Sequence, residues 1–190
     1  MSDWESKLLT RREIIKASMW GIIGSAALPG LANATAMKMP DPGGFDIAFQ
    51  CQHTGEKFSG TYRVGDRYLP DAFDEINQVL RDYRSNEIFP IDPRAIDIIY
   101  MIRKKAESNT PLEILSGYRS PHTNAMLARA SNGVAKNSLH LTGQAIDFRL
   151  PGYSTRALRR LAVNLRAGGV GYYKRSNFLH VDTGSIRSWS

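Results

Sequence analysis

Cysteine is almost absent from this chain. Its 190 residues include one, Cys51, so no internal disulfide can form and stability must come from an apolar core. A lone thiol of this kind reads as a small buried residue; a nucleophilic Cys51 would need a base or a positive field beside it. Long apolar runs are also missing. The stretch from Ala17 to Leu31 is broken by Gly21, Gly24, Ser25, Pro29 and Gly30, short of the roughly 20 residues that span a bilayer. There are no internal repeats, no low-complexity tracts and no recognisable nucleic-acid motif or aromatic stacking platform, which argues against a nucleic-acid partner. Histidine is scarce as well. Only His53, His122, His140 and His180 occur, so any imidazole-based site must draw on these four.

Basic charge is in excess. The formal net charge is +7, which favours polyanions such as nucleic acid, anionic lipid or an acidic wall polymer. The basic residues are scattered, as in Arg103-Lys104-Lys105 and Arg156, Arg159, Arg160, and read first as solvated helix faces. The opening segment reads as an address. Thr10-Arg11-Arg12-Glu13-Ile14-Ile15-Lys16 precedes a weakly apolar stretch, and Ala32-Asn33-Ala34 follows it as a small-x-small cleavage pattern. This layout resembles a twin-arginine signal peptide over residues 1–34, with export to the periplasm and no stable membrane insertion after cleavage. A retained anchor and an amphipathic helix are the rival readings. Residues 35–44 then form a linker, and 45–190 a single domain.

Within that domain Phe45–Gln50 alternates apolar and polar residues, as a strand does. Thr54-Gly55-Glu56 turns it, Lys57–Val64 returns, and a short strand follows near Tyr68. Phe73, Ile76, Leu80 and Tyr83 recur at helical spacing after Pro70. Asp92-Pro93 is an N-cap with proline at the first helical position, heading a helix with Ile96, Ile99 and Tyr100 inside. Leu112–Leu115 is a strand, Pro121 to Leu127 a short helix, and 131–138 a polar loop. Ala145–Leu150 is a strand. Ser154 or Thr155 caps a helix bearing Leu158, Leu161, Ala162 and Leu165, which Gly168-Gly169 ends. Val170–Tyr173 and Phe178–Asp182 are the last strands. Hairpins mix with helices without regular alternation, so the fold class is α+β, a small antiparallel sheet with flanking helices.

The chemistry gathers in the C-terminal half. His140 and Asp147 occur in Ser-Leu-His-Leu-Thr-Gly-Gln-Ala-Ile-Asp-Phe, where Gly143 permits a bend. Strand alternation puts Asp147 on the face opposite Ile146 and Phe148. In Phe-Leu-His-Val-Asp, alternation puts His180 and Asp182 together, with Leu179 and Val181 behind. Two imidazoles and a carboxylate suit zinc, and a catalytic zinc site keeps a fourth position for water. Such a metal lowers the pKa of its water and polarises a scissile carbonyl, and a nearby carboxylate can carry the proton. Asp182 is the candidate for that role. The plain alternative is that each group is a hydrogen-bonded structural residue.

His140-x6-Asp147 followed by His180-x-Asp182, and preceded by Ser116-Gly117-Tyr118-Arg119-Ser120, resembles the LAS group of zinc peptidases. That group includes D-Ala-D-Ala carboxypeptidases and murein endopeptidases, and the sequence is most similar to the murein endopeptidase K type over roughly residues 40–190. The resemblance implies a Hedgehog/DD-peptidase-like fold and zinc held by His140, Asp147 and His180. It implies Arg119 near the substrate carbonyl, where a cationic fork stabilises developing negative charge. It also implies hydrolysis of peptide cross-links in peptidoglycan, at bonds involving the amine of diaminopimelate. Ser138 and Gln144 are candidates to line the cleft, and His122 a candidate for its surroundings. One departure stands out: many relatives carry a Glu three residues before the last zinc His, or a His-x-His pair, whereas this chain has Asn177 and His180-x-Asp182.

Other functions fit parts of this pattern. A non-haem iron oxygenase also uses two His and a carboxylate, but no His follows Asp182 here and the strands look too few for a jelly roll. A noncatalytic wall-binding module would have no need of an open metal site. A carboxypeptidase trimming terminal D-Ala shares the chemistry and differs in having a closed pocket where an endopeptidase has a groove.

Overall fold

The computed structural model describes residues 43–130 and 134–190. The expected signal segment at 1–34 and all but the last two residues of the expected linker lie outside the described residues. The chain enters at β1 (Gly44–Cys51) and turns into β2 (Lys57–Val64) and the two-residue β3 (Arg67–Tyr68). Helices α1 (Pro70–Val79) and α2 (Pro93–Lys105) follow, then β4 (Leu112–Ser116) and α3 (Pro121–Ala130). A short 3-10 turn (Leu139–Thr142) leads into β5 (Ala145–Arg149), α4 (Thr155–Leu165), β6 (Gly169–Tyr173), β7 (Phe178–Asp182) and β8 (Arg187–Trp189).

All eight strands share one sheet in the order β3-β2-β1-β4-β5-β7-β6-β8. The α+β class is as expected, and no second sheet of a jelly roll exists among the described residues. The sheet is larger than the sequence suggested, and mixed. β1 with β4 and β6 with β8 are parallel, and the other pairings antiparallel. The β1–β4 pair is parallel because two helices intervene and carry the chain back to the starting edge.

Caps behave as read. The Asp92 side chain accepts from the Arg94 N–H, and Ser154 from the Ala157 N–H. Tyr83 departs from the expected helical stripe. α1 stops at Val79, the chain turns through an Asp82–Glu87 bridge, and Tyr83 stacks on His53 with ring centroids 4.1 Å apart. The end of α4 also differs. Arg166, at φ 51, makes the left-handed stop, and Gly168 is needed for another reason: a Cβ there would strike the Asp182 carbonyl.

The core lies between one face of the sheet and α1, α2 and α4. Ile47, Phe49, Ile76, Ile96, Ile99, Ile146, Phe148, Leu158, Leu179 and Val181 are among its fully enclosed members. Burying each such side chain contributes about 1.5–3 kcal/mol. Cys51 belongs to this core. Because side chains alternate along a strand, anchoring Ile146, Phe148, Leu179 and Val181 inward sends Asp147, His180 and Asp182 to the other face.

Candidate metal centre

The sheet registers line these groups up. Asp147 sits opposite His180, and His180 opposite Gly171. One step along, Asp182 sits opposite Gly169. His140 arrives from outside the sheet, on the 3-10 turn that Ser138 caps and Gly143 closes. Gly143 is obligatory there: its φ is +65, and a Cβ would run into the Pro90 carbonyl. The result is a buried trio, His140, Asp147 and His180, whose ligand-type atoms all lie within 4.8 Å of one another.

Hydrogen bonds fix which ring nitrogen faces inward. His140 Nδ1 lies 2.7 Å from the Gly117 carbonyl. A carbonyl only accepts, so Nδ1 carries the proton and Nε2 presents a lone pair. Nε2 is buried without a hydrogen-bond partner, 3.2 Å from Asp147 Oδ2. An orphaned buried acceptor beside a carboxylate is the environment a cation would satisfy. His180 Nδ1 lies 2.8 Å from Asp147 Oδ1, and its Nε2 3.0 Å from Asp182 Oδ2. Burial alone would lower the His180 pKa, but the two carboxylates outweigh it and raise it to about 9. Burial also pushes the Asp147 carboxyl up, and His140 and His180 overcome that and hold it far below the usual carboxylate range. The donor set of two imidazoles and one carboxylate therefore fits a zinc-type ion in both chemistry and placement.

Asp182 is fully enclosed. Its Oδ1 accepts from the N–H groups of Gly169 and Gly184 and from Arg187; its Oδ2 accepts from Arg187 and faces His180. Burial by itself would raise its pKa, and these partners hold it well below the ordinary value.

Arg119 stands at the rim of the trio, 3.7 Å from Asp147 Oδ2. Its guanidinium donates to Asn124 and Ser116 at 3.3 and 3.4 Å. Burial lowers its pKa, with Asp147 opposing. The loop that carries it is pinned from behind. The Tyr118 N–H donates to the Leu80 carbonyl, the Arg119 N–H to the His140 carbonyl, and the Ser120 N–H to Asp82 Oδ2 at 2.9 Å. Gly117 passes so close to Leu80 that a Cβ would lie 2.5 Å from its carbonyl oxygen.

The trio forms the floor of a cleft of about 340 Å³. Tyr173 and Phe178, stacked at 4.5 Å, wall one side, and Trp189 leans on His180 with ring centroids 5.3 Å apart. Val134, Ala135, Asn137, Ser138 and Leu139 also line it. Gln144 is turned away, bonded to Thr142 and Thr183. His122 is exposed at the start of α3. Asn177 is likewise away from the cleft, on the β6–β7 turn at φ 51, accepting from the Thr155 hydroxyl at 2.5 Å. The sequence reading overlooked Arg187, Trp189, Gly169 and Gly171. Their signal was present as two period-two pairs, Gly169-x-Gly171 and Arg187-x-Trp189, which strand alternation places on one face.

A single mixed sheet with α1, α2 and α4 on one face and a buried His–Asp–His cluster on the other is an arrangement suited to a metallopeptidase-type protein. The family model described as Peptidase_M15_2, Peptidoglycan L,D-endopeptidase MepK, matches residues 43–189, and the chain belongs to this family. It is 41% identical over 167 residues to the "Peptidoglycan L,D-endopeptidase MepK" of Escherichia coli (strain K12), covering 88% of this chain and 90% of that protein. The Shigella flexneri protein of the same name gives the same figures. The "Probable peptidoglycan L,D-endopeptidase MepK" of Haemophilus influenzae is 39% identical over 174 residues, covering 90% and 92%. The resemblance to the murein endopeptidase K type read from the sequence is therefore correct at the level of the family.

Proposed function

We propose that this protein is a zinc-dependent peptidoglycan endopeptidase that hydrolyses peptide cross-links, with His140, Asp147 and His180 as the metal ligands. The observation that carries the reading is the orphaned Nε2 of His140 inside a buried two-imidazole, one-carboxylate cluster. When bound, zinc would polarise the scissile carbonyl and lower the pKa of a water, leaving one coordination position open. The remaining work falls to the chain. Gly117 holds the His140 ring with Nε2 inward. Arg119, fixed by Asn124 and Ser116, offers a preorganised cation beside Asp147, where negative charge on the carbonyl oxygen is best stabilised. Tyr173, Phe178 and Trp189 give the substrate an apolar backing. Asp182, expected from the sequence to carry the proton, has both oxygens occupied by Gly169, Gly184, Arg187 and His180. We read it as acting on His180.

The endopeptidase reading is preferred to D-Ala-D-Ala trimming because the relatives are named as L,D-endopeptidases. An exported protein acting outside the cytoplasmic membrane, with residues 1–34 as a twin-arginine-type signal, is part of this reading, and it is supported by relatives named for action on peptidoglycan. Among the described residues no helix is long and apolar enough to cross a membrane. The test is digestion of purified cross-linked murein by zinc-loaded protein, with and without chelator, and mass analysis of the products. Cleaved cross-links that disappear with chelator and with His140→Ala are expected. Intact cross-links with zinc-loaded protein would refute the proposal.

A further inference from the structure

β7 and β8 are not neighbours, since β6 runs between them, yet Arg187 on β8 grips Asp182 on β7. Adjacent strands lie roughly 4.8 Å apart, so an ordinary β6 side chain would stand in the way. The residue in register with both is Gly169. A Cβ there would collide with Arg187 Nη1 and come within 2.5 Å of Asp182 Oδ2. Through this gap Arg187 places Nη1 3.0 Å from Asp182 Oδ1 and Nη2 2.7 Å from Oδ2, a two-pronged charge-assisted contact. One row along, Gly171 opens the same space between His180 and Trp189: a Cβ there would lie 2.6 Å from the indole. The two glycines form a lane across which β8 supports β7.

The Oδ1 of the carboxylate so gripped also accepts from the Gly169 and Gly184 N–H groups, and its Oδ2 faces His180 Nε2 at 3.0 Å. An ionised carboxylate only accepts, so Nε2 must donate. Nδ1 also faces a carboxylate, Asp147 Oδ1 at 2.8 Å, but this is the carboxylate whose other oxygen lies 3.2 Å from His140 Nε2, so Nδ1 is the ring atom on the shared ligand cluster, where a cation would replace its proton. A ligating His whose other nitrogen donates to a carboxylate has its tautomer and ring orientation set by that partner.

We infer that Arg187, through Asp182, is a positioning residue that locks His180 as an Nδ1 metal ligand, and that Asp182 serves orientation rather than proton transfer. The inference rests on the zinc site proposed above. It is tested with Arg187→Ala, Arg187→Lys and Asp182→Ala, measuring zinc affinity by chelator competition and His180 ring nitrogen shifts by NMR on 15N-histidine protein. The side chain of Arg187 is 42% exposed, so its removal leaves no core cavity, and thermal unfolding checks the fold. In the zinc-loaded parent protein, Nδ1 should be metal-bound and Nε2 protonated. Zinc affinity should fall about 10–100-fold in Arg187→Ala and in Asp182→Ala, with Arg187→Lys recovering part of it. Zinc on Nε2, or unchanged affinity in both alanine variants, would overturn the inference. So would an Asp182→Ala protein that binds zinc normally but loses turnover, the signature of a proton carrier. His140→Ala separates the two claims. If it too leaves zinc affinity unchanged, the metal-site reading fails; if it abolishes binding while Arg187→Ala does not change it, only the positioning role fails.

Discussion

Arg119 and Asp82 are the single residues on which the rim of the site depends. Arg119 contributes a fixed fork of donors, so Arg119→Ala should cut kcat on a cross-linked muropeptide by about 10²–10³, the usual loss for one preorganised donor. Arg119→Lys should recover only part, because an ammonium cannot hold Asn124 and Ser116 in the same plane. Asp82 anchors the Arg119 loop through the N–H of Ser120. Burial alone would raise its carboxyl, but hydrogen bonds from Thr123, Ser120 and Arg84 bring it down to about 2. A carboxyl depressed in the folded state adds stability that is present above the unfolded value, about 4, and is lost as the pH falls through about 2. Acid-unfolding curves should therefore show a steeper loss between those values for the parent protein than for Asp82→Asn. Superimposable limbs would contradict this.

At the scale of elements, the β6 lane makes a sharp prediction. Gly171→Ala should push the Trp189 indole off His180 at a cost of about 1–3 kcal/mol, as overpacking does. Adding Trp189→Gly should restore much of that stability without restoring the site; thermal unfolding and tryptophan fluorescence read both. This lane also marks where the sequence stopped being legible. β5 and β7 declared themselves through alternation, because Ile146, Phe148, Leu179 and Val181 had to face a core. Caps at Asp92 and Ser154 were legible because capping is local chemistry. β8 is three residues long and largely exposed, so it carried no apolar period, and nothing local revealed that it pairs in parallel with β6. The clustering of His140, Asp147 and His180 was legible because each member lies in a patterned segment. The contact of Arg187 with Asp182 depends on register across three strands, which no local pattern encodes. The same limit explains Asp182: its face could be read from alternation, but the donors that occupy it could not.

For the whole molecule, the apolar core lies on one face of the sheet and the proposed ligands on the other. Stripping the metal with a chelator should abolish murein hydrolysis while leaving the far-UV circular dichroism spectrum intact. The melting temperature should drop only by the binding linkage, about RT ln(1 + [metal]/Kd). Collapse of the spectrum on chelation would show that the ion is instead part of the folding core.

One consequence follows from the way His140 is held. Its ring is oriented by the Gly117 carbonyl and its turn by Ser138 and Gly143, and all of these are supplied by the polypeptide. On the proposed reading, the receptacle would not need its ion in order to take shape. Maturation would then be separable in time and place from folding, and the compartment that shapes the chain need not be the one that supplies the metal.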